Sequence, residues 1–135
     1  MEIELAVQAT QDGAVQTIRS QLDKRLVIGR DPESLVQLQG AGISREHIGI
    51  EESAGRILLS GQASNTVHPD FAVARLLPNG TLDGSFSDDG RFSVDFFDAS
   101  DGAENIAVQP DGKIVLGGFA QNGATVQYAL ARINP

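Results

Sequence analysis

A chain of 135 residues has the size of one domain and is long enough for a two-layer core. Its net charge of −8 argues against a nucleic-acid backbone or an anionic membrane as partner. The absence of Cys excludes disulfides and thiol chemistry, and no apolar run reaches the roughly 18 residues that a membrane-spanning helix needs. The opening Met1-Glu2-Ile3-Glu4 is acidic, whereas a signal peptide starts basic and turns apolar. A soluble chain is therefore expected, with its compartment undetermined.

Strand patterns run the whole length. Ile3, Leu5 and Val7 alternate with polar neighbours, as do Leu26 and Ile28, and then Ile48 and Ile50. Turn dipeptides follow at Asp12-Gly13, Asn79-Gly80, Asp89-Gly90, Asp101-Gly102, Asp111-Gly112 and Asn122-Gly123. Eleven strands are predicted, near 2–8, 15–19, 25–29, 34–38, 46–50, 56–60, 70–77, 91–97, 104–109, 113–119 and 126–133. No window has helical periodicity. The expected fold is all-β: a sandwich of about eleven mostly antiparallel strands.

The composition changes near residue 54. All six Phe lie beyond it, and the acids switch from six Glu and three Asp before it to one Glu and eight Asp after it. Asp follows turns, which accounts for the acids but not for the missing Phe. The second part also repeats itself. Residues 55–78 align without a gap on 112–135, an offset of 57, with ten identities in 24 positions, among them Gly55/Gly112, Gly61/Gly118, Arg75/Arg132 and Pro78/Pro135. Phe71/Tyr128 and Arg56/Lys113 are conservative pairs. Such spacing points to a repeat architecture. Phe71, Val73 and Arg75 share one strand face, and Tyr128, Leu130 and Arg132 the matching one.

Residues 25–50 carry Ile28-Gly29-Arg30, a polar loop, and then Ser44-Arg45-Glu46-His47 leading into an apolar strand. This resembles the core signature of forkhead-associated (FHA) domains over residues 1–59. The resemblance implies a β-sandwich whose end loops bind phosphothreonine peptides. A phosphothreonine brings roughly −1.5 to −2 charges and three acceptor oxygens, and forked Arg donors suit it. By resemblance Ser44 and Arg45 would grip the phosphate, Arg30 would brace the peptide, and His47 would tie the loops together. In Ser64-Asn65-Thr66 the chain echoes the family's peptide-holding turn without its Gly, which assigns Asn65 to the peptide backbone. From Pro69 onward no FHA feature is seen.

Asp70-Phe71-Ala72-Val73-Ala74-Arg75-Leu76, then Gly80-Thr81-Leu82-Asp83-Gly84-Ser85-Phe86, and Ile106-Ala107-Val108-Gln109-Pro110-Asp111-Gly112-Lys113-Ile114 resemble instead the bacterial "delta-sixty" repeats, found in arrays thought to form propellers. That resemblance covers 55–135 and implies structural roles for the repeated residues, with Arg75 and Arg132 packing along strands. The junction resembles both. Residues 46–57 match 104–114 with one extra residue, so 46–60 is expected to form a hairpin bridging the two pieces. An array of such repeats is also not expected to stop at Pro135, where the earlier copy runs on through Pro78-Asn79-Gly80.

Other chemistry is weighed and set aside. His47 and His68 lie in different segments, with no ligand cluster at metal spacing, and residues 98–104 do not match a twelve-residue calcium loop. The acids there are read as turn acids. Ser64, His68 and Asp70 lie too close along one strand to form a triad, and no nucleophile-elbow motif exists. No enzyme activity, cofactor or metal is expected. The preferred reading is a recombined or engineered chimera of an FHA-like part (1–54) and a propeller-type repeat part (55–135, copies at 55–78 and 112–135), folded as one unit without evolved activity. It would retain a partial phosphothreonine-binding signature. The alternatives are a working phosphothreonine-peptide module and a natural structural scaffold of propeller-type repeats. The expected partners are a weakly held phosphothreonine peptide, and a second copy through dimerisation or strand swapping at open edges.

Overall fold

The computed structural model describes residues 1–8, 15–22, 26–29, 31–37, 47–64 and 67–135. They form eleven strands and no helix: β1 (Glu2–Gln8), β2 (Val15–Gln21), β3 (Leu26–Gly29), β4 (Val36–Gln37), β5 (Ile48–Ser53), β6 (Arg56–Ser64), β7 (Pro69–Leu76), β8 (Arg91–Val94), β9 (Asp101–Val108), β10 (Ile114–Asn122) and β11 (Thr125–Ile133). The all-β expectation holds. β1 and β2 pair as a hairpin, β11-β10-β9 form a three-stranded sheet, and β4-β3-β5-β6-β7-β8 form a six-stranded one. Among the described residues only β3 and β4 pair in parallel.

The six-stranded sheet is continuous across the composition change. β5 and β6 pair from Gly49↔Ser60 to Ser53↔Arg56 through the two-residue turn Ala54-Gly55. Both turn residues have positive φ, 49° and 73°. This is the mirror-type turn whose twist matches a hairpin, and Gly55 suits it. The Glu52 carboxylate accepts the Gly55 N–H at 2.6 Å.

The two sequence copies fold as the same hairpin. β6–β7 runs from Ile57↔Leu76 to Ser64↔Pro69, and β10–β11 from Ile114↔Ile133 to Asn122↔Thr125. Adding 57 to either member of the pairs Ile57↔Leu76, Ser60↔Val73 and Gly61↔Ala72 gives Ile114↔Ile133, Gly117↔Leu130 and Gly118↔Ala129. Sequence similarity has become identical register.

Their packing is not identical. The main core holds Leu58, Phe71 and Val73 from the first hairpin, and Ile114, Leu116, Ala120, Ala129 and Ile133 from the second, with Phe86, Ala103 and Ile106. Positions 58, 71 and 73 correspond to 115, 128 and 130, which lie on the face of β10–β11 opposite to Leu116 and Ala129. The two hairpins thus share one core through opposite faces. A second core, of Ile3, Leu22, Ile28, Ile50 and Ile57, lies where the β1–β2 hairpin covers one end of the other sheet face.

Three expectations need correction. Asp101-Gly102, read as a turn, lies inside β9, where Asp101 pairs with Ala120 and Gly102 with Phe119. The chain turns earlier, after Val94, with Asp98 at φ 52°. This also ends β8 at Val94 instead of residue 97. Ser64, His68 and Asp70 do not share a strand: Ser64 closes β6, and Asp70 lies in β7 opposite Ala63.

Candidate functional site

Beyond the end covered by β1–β2, the outer face of β6–β7 is open. Leu59, Gly61, Ala63, Ala72 and Ala74 alternate toward it, with Ser93 and Arg91 of β8 opposite Ala72 and Ala74. Small side chains make a shallow floor there, and His47, Ile48, Asp89 and Arg91 stand around it. The resulting groove has a volume of about 540 Å³. The Ser60 hydroxyl, on the core side of β6 opposite Val73, is buried without a hydrogen-bond partner.

His47 is half-buried at the groove, and its N–H is donated to the Ile28 carbonyl at 2.9 Å, fixing the start of β5 against β3. The other residues assigned to a phosphopeptide by resemblance, Arg30, Ser44, Arg45 and Asn65, lie outside the described residues. Residues 44–46 lead directly into His47.

A different cluster was not expected. Asp70, Asp95 and Asp101 each place a carboxylate oxygen within 4.8 Å of the other two. Asp70 comes from β7, Asp101 from the start of β9, and Asp95 from the turn after β8. Asp70 is 4% exposed and Asp101 is fully buried, whereas Asp95 is exposed. One Asp101 oxygen, Oδ2, accepts the Phe96 N–H at 2.8 Å; the other, Oδ1, is buried with no partner. Asp95 Oδ1 accepts the N–H groups of Phe97 at 3.2 Å and Asp98 at 2.7 Å, closing the turn. Burial raises the Asp70 carboxyl above its ordinary range, and the charges of Asp95, Asp101 and Asp98 push the same way, against His68. Reading the acids of residues 98–104 as turn acids missed the convergence: Asp101 lies in β9, Asp95 falls outside that stretch, and Asp70 is 25 positions from Asp95, brought near by the pairing of β7 with β8.

A second polar centre joins the repeat to the loop after it. The Asp83 carboxylate accepts the Ser85 hydroxyl at 2.6 Å, Arg56 Nε at 2.9 Å and Arg75 Nε at 3.0 Å. Arg75 also lies over the Phe86 ring, 4.8 Å from its centroid. The Ser85 hydroxyl and the Arg56 guanidinium, with the Ser85 N–H and Arg75, hold the Asp83 carboxyl far below the usual carboxylate range. This is structural chemistry. It ties the 77–90 loop to β6 and β7.

A family model described as a domain of unknown function (DUF5122) beta-propeller matches residues 53–86 and 109–135. Those spans contain both repeat hairpins and Asp83. The second part of the chain is of propeller-repeat type. No curated protein and no solved structure matches the chain. With β5, which precedes that part, β6–β8 form a four-stranded antiparallel meander, the strand number of a propeller blade, and β9–β11 repeat its first three strands.

Proposed function

We propose that the chain is a non-enzymatic, recombined all-β scaffold in which propeller-type repeat strands complete an FHA-like N-terminal part, without an evolved catalytic or signalling activity. Residues 1–54 and 55–135 then form one folded unit. The observation that carries this reading is the β5–β6 hairpin: the strand following the FHA-like signature is hydrogen-bonded to the strand opening the first repeat copy, in one six-stranded sheet. The side chains clustered by the fold also serve structure. Asp83 fastens a loop, and Glu51 accepts the Val108 N–H at 3.3 Å, linking the two repeat meanders. Denaturant unfolding followed by circular dichroism tests the proposal. A single cooperative transition is expected, and two independent transitions would refute the shared unit.

A second reading, recognition of a phosphothreonine peptide, is favoured by the position of the groove. Ser44 and Arg45 immediately precede the strand at whose start His47 borders it. Hydrogen bonds to charged groups contribute roughly 1.5–3 kcal/mol each. The peptide-holding turn, however, lacks the family's Gly, and a site loosened by about 1 Å loses most of its preorganisation. Weak, phosphate-dependent binding is the most this reading supports. Calorimetry with a phosphothreonine peptide, its unphosphorylated twin and the Arg45→Ala variant decides it. Sub-micromolar binding that vanishes in the variant overturns the inert-scaffold reading. Equal or absent heats across all three retire the phosphopeptide one.

A further inference from the structure

The two hairpins supply an internal template for an intermolecular contact. Inside the chain, the bulky face of the first hairpin, with Phe71 and Val73, shares a core with the small-residue face of the second, which presents Ala120, Ala129 and Ala131. One face of each hairpin remains. On the second hairpin the bulky face is bare: Val126 is 68%, Tyr128 102% and Leu130 73% exposed. On the first hairpin the small-residue face is the groove floor of Gly61, Ala63, Ala72 and Ala74, which correspond by the 57-residue offset to Gly118, Ala120, Ala129 and Ala131. The chain therefore exposes both halves of a contact that it also makes internally.

We propose that the Val126–Tyr128–Leu130 face of one chain seats in the β6–β7 groove of a second copy. The occupant is identified by the repeat itself. Residues 128 and 130 stand to floor residues 61, 63, 72 and 74 as 71 and 73 stand to 118, 120, 129 and 131. The β1–β2 hairpin covers the other end of the groove face and confines the contact to this open half. Two different surfaces meet, so the contact is heterologous, and it propagates into rings or open stacks unless one surface is blocked. It differs from edge-to-edge pairing along β11, which would join two identical surfaces. The contact goes beyond the scaffold reading but rests on it.

Sedimentation velocity across a concentration series tests the contact, with Leu130→Glu to spoil the bulky face and Ala63→Arg to spoil the floor. Both positions are exposed, and circular dichroism checks that each variant folds. The wild type is expected to grow with concentration, each variant alone to stay monomeric, and an equimolar mixture to stop at a 1:1 dimer. The chain has one Tyr and no Trp, so its emission reports Tyr128 alone, and quenching by acrylamide should fall as assembly proceeds. A wild type that unfolds in one transition yet stays monomeric at millimolar concentration overturns the contact and leaves the scaffold reading intact. Association that either variant leaves unchanged, or a mixture that fails to pair, overturns it equally.

An independent observation carries a second proposal. Asp101 is wholly buried, and Oδ1, one of its two carboxylate oxygens, has no hydrogen-bond partner, within a cluster of three converging carboxylates. A buried oxygen of this kind is costly unless a proton or a cation meets it. Mutual separations within 4.8 Å put one point at most about 2.8 Å from all three oxygens, close to the roughly 2.3–2.6 Å of calcium–oxygen bonds. Exposed Asp95 gives a path for entry and leaves room for water ligands. We infer that Asp70, Asp95 and Asp101 form a site for a hard divalent cation of calcium size.

Calorimetric titration of chelator-treated protein with calcium chloride tests this, with magnesium chloride as contrast and thermal melting as a second readout. One calcium per chain and a raised melting temperature are expected, with magnesium weaker. Asp95→Asn keeps the turn-closing acceptor, so it should fold, and it should weaken calcium binding at least tenfold. The absence of both heat and a melting shift at millimolar calcium overturns the proposal. So does calcium binding that survives unchanged in both Asp95→Asn and Asp101→Asn.

Discussion

Phe71 and Tyr128 occupy the same position in two copies of one hairpin, paired with Gln62 and Phe119 in the same register, yet Phe71 is 0% and Tyr128 102% exposed. Sequence similarity set the hairpin, and tertiary packing decided which face it buries. Phe71 meets the Phe96 ring edge-on at a centroid distance of 5.0 Å, whereas β11 is the edge of its sheet. Phe71→Ala should destabilise by about 3–5 kcal/mol through the cavity it leaves. Tyr128→Ala should stay within about 0.5 kcal/mol at dilute concentration. Denaturant midpoints of the two variants measure the difference, and equal losses would contradict the packing.

Gly61 and Gly118 make a second matched pair. A Cβ on Gly118 would collide with the Gly102 carbonyl oxygen, at the bulge where β9 carries an extra residue against β10. A Cβ on Gly61 would meet only the His47 carbonyl oxygen at 3.7 Å and Ile48 Cγ1 at 3.9 Å, which are ordinary contacts. Gly118→Ala is expected to cost about 1–3 kcal/mol or more, since backbone must move. Gly61→Ala should be neutral or stabilising by about 0.4–1 kcal/mol. Thermal melts of both variants check the contrast.

Asp83 sets the behaviour in acid. Its folded-state pKa is depressed, so the unfolded chain binds a proton more readily. The stability it contributes is complete above the ordinary carboxylate pKa of about 4 and is lost as pH falls further toward the folded value. Asp83→Asn should be less stable than wild type at pH 7, with the gap narrowing below pH about 4. Denaturation midpoints at several pH values read this directly.

Asp70 has the opposite sign. Its folded-state pKa is raised, so its contribution is complete below the ordinary carboxylate pKa and is lost as pH rises through the folded value. In chelator at pH 7, Asp70→Asn is therefore expected to melt higher than wild type. A lower melting temperature would show that the charged form is held by contacts other than those described.

Much of the fold was legible in the sequence. Alternation and turn dipeptides placed all eleven strands, and the 57-residue offset announced two equivalent hairpins. What escaped had tertiary causes. Asp101-Gly102 reads as a turn, but it lies in β9 because its backbone pairs with β10 and its carboxylate caps the preceding turn. The Asp70–Asp95–Asp101 cluster is built by strand pairing between residues far apart in sequence. The opposite fates of Phe71 and Tyr128 have no local signal at all, since burial depends on which sheet comes to lie over each face.

That opposition is also the most direct test of stacking through opposite faces. In wild type the sole tyrosine is at 128, and in the double variant Phe71→Tyr/Tyr128→Phe it is at 71. Acrylamide quenching at dilute concentration, with circular dichroism to confirm folding, compares the two positions. Free quenching at 128 and strong protection at 71 are the predicted results. Equal accessibility in two folded proteins would contradict the account.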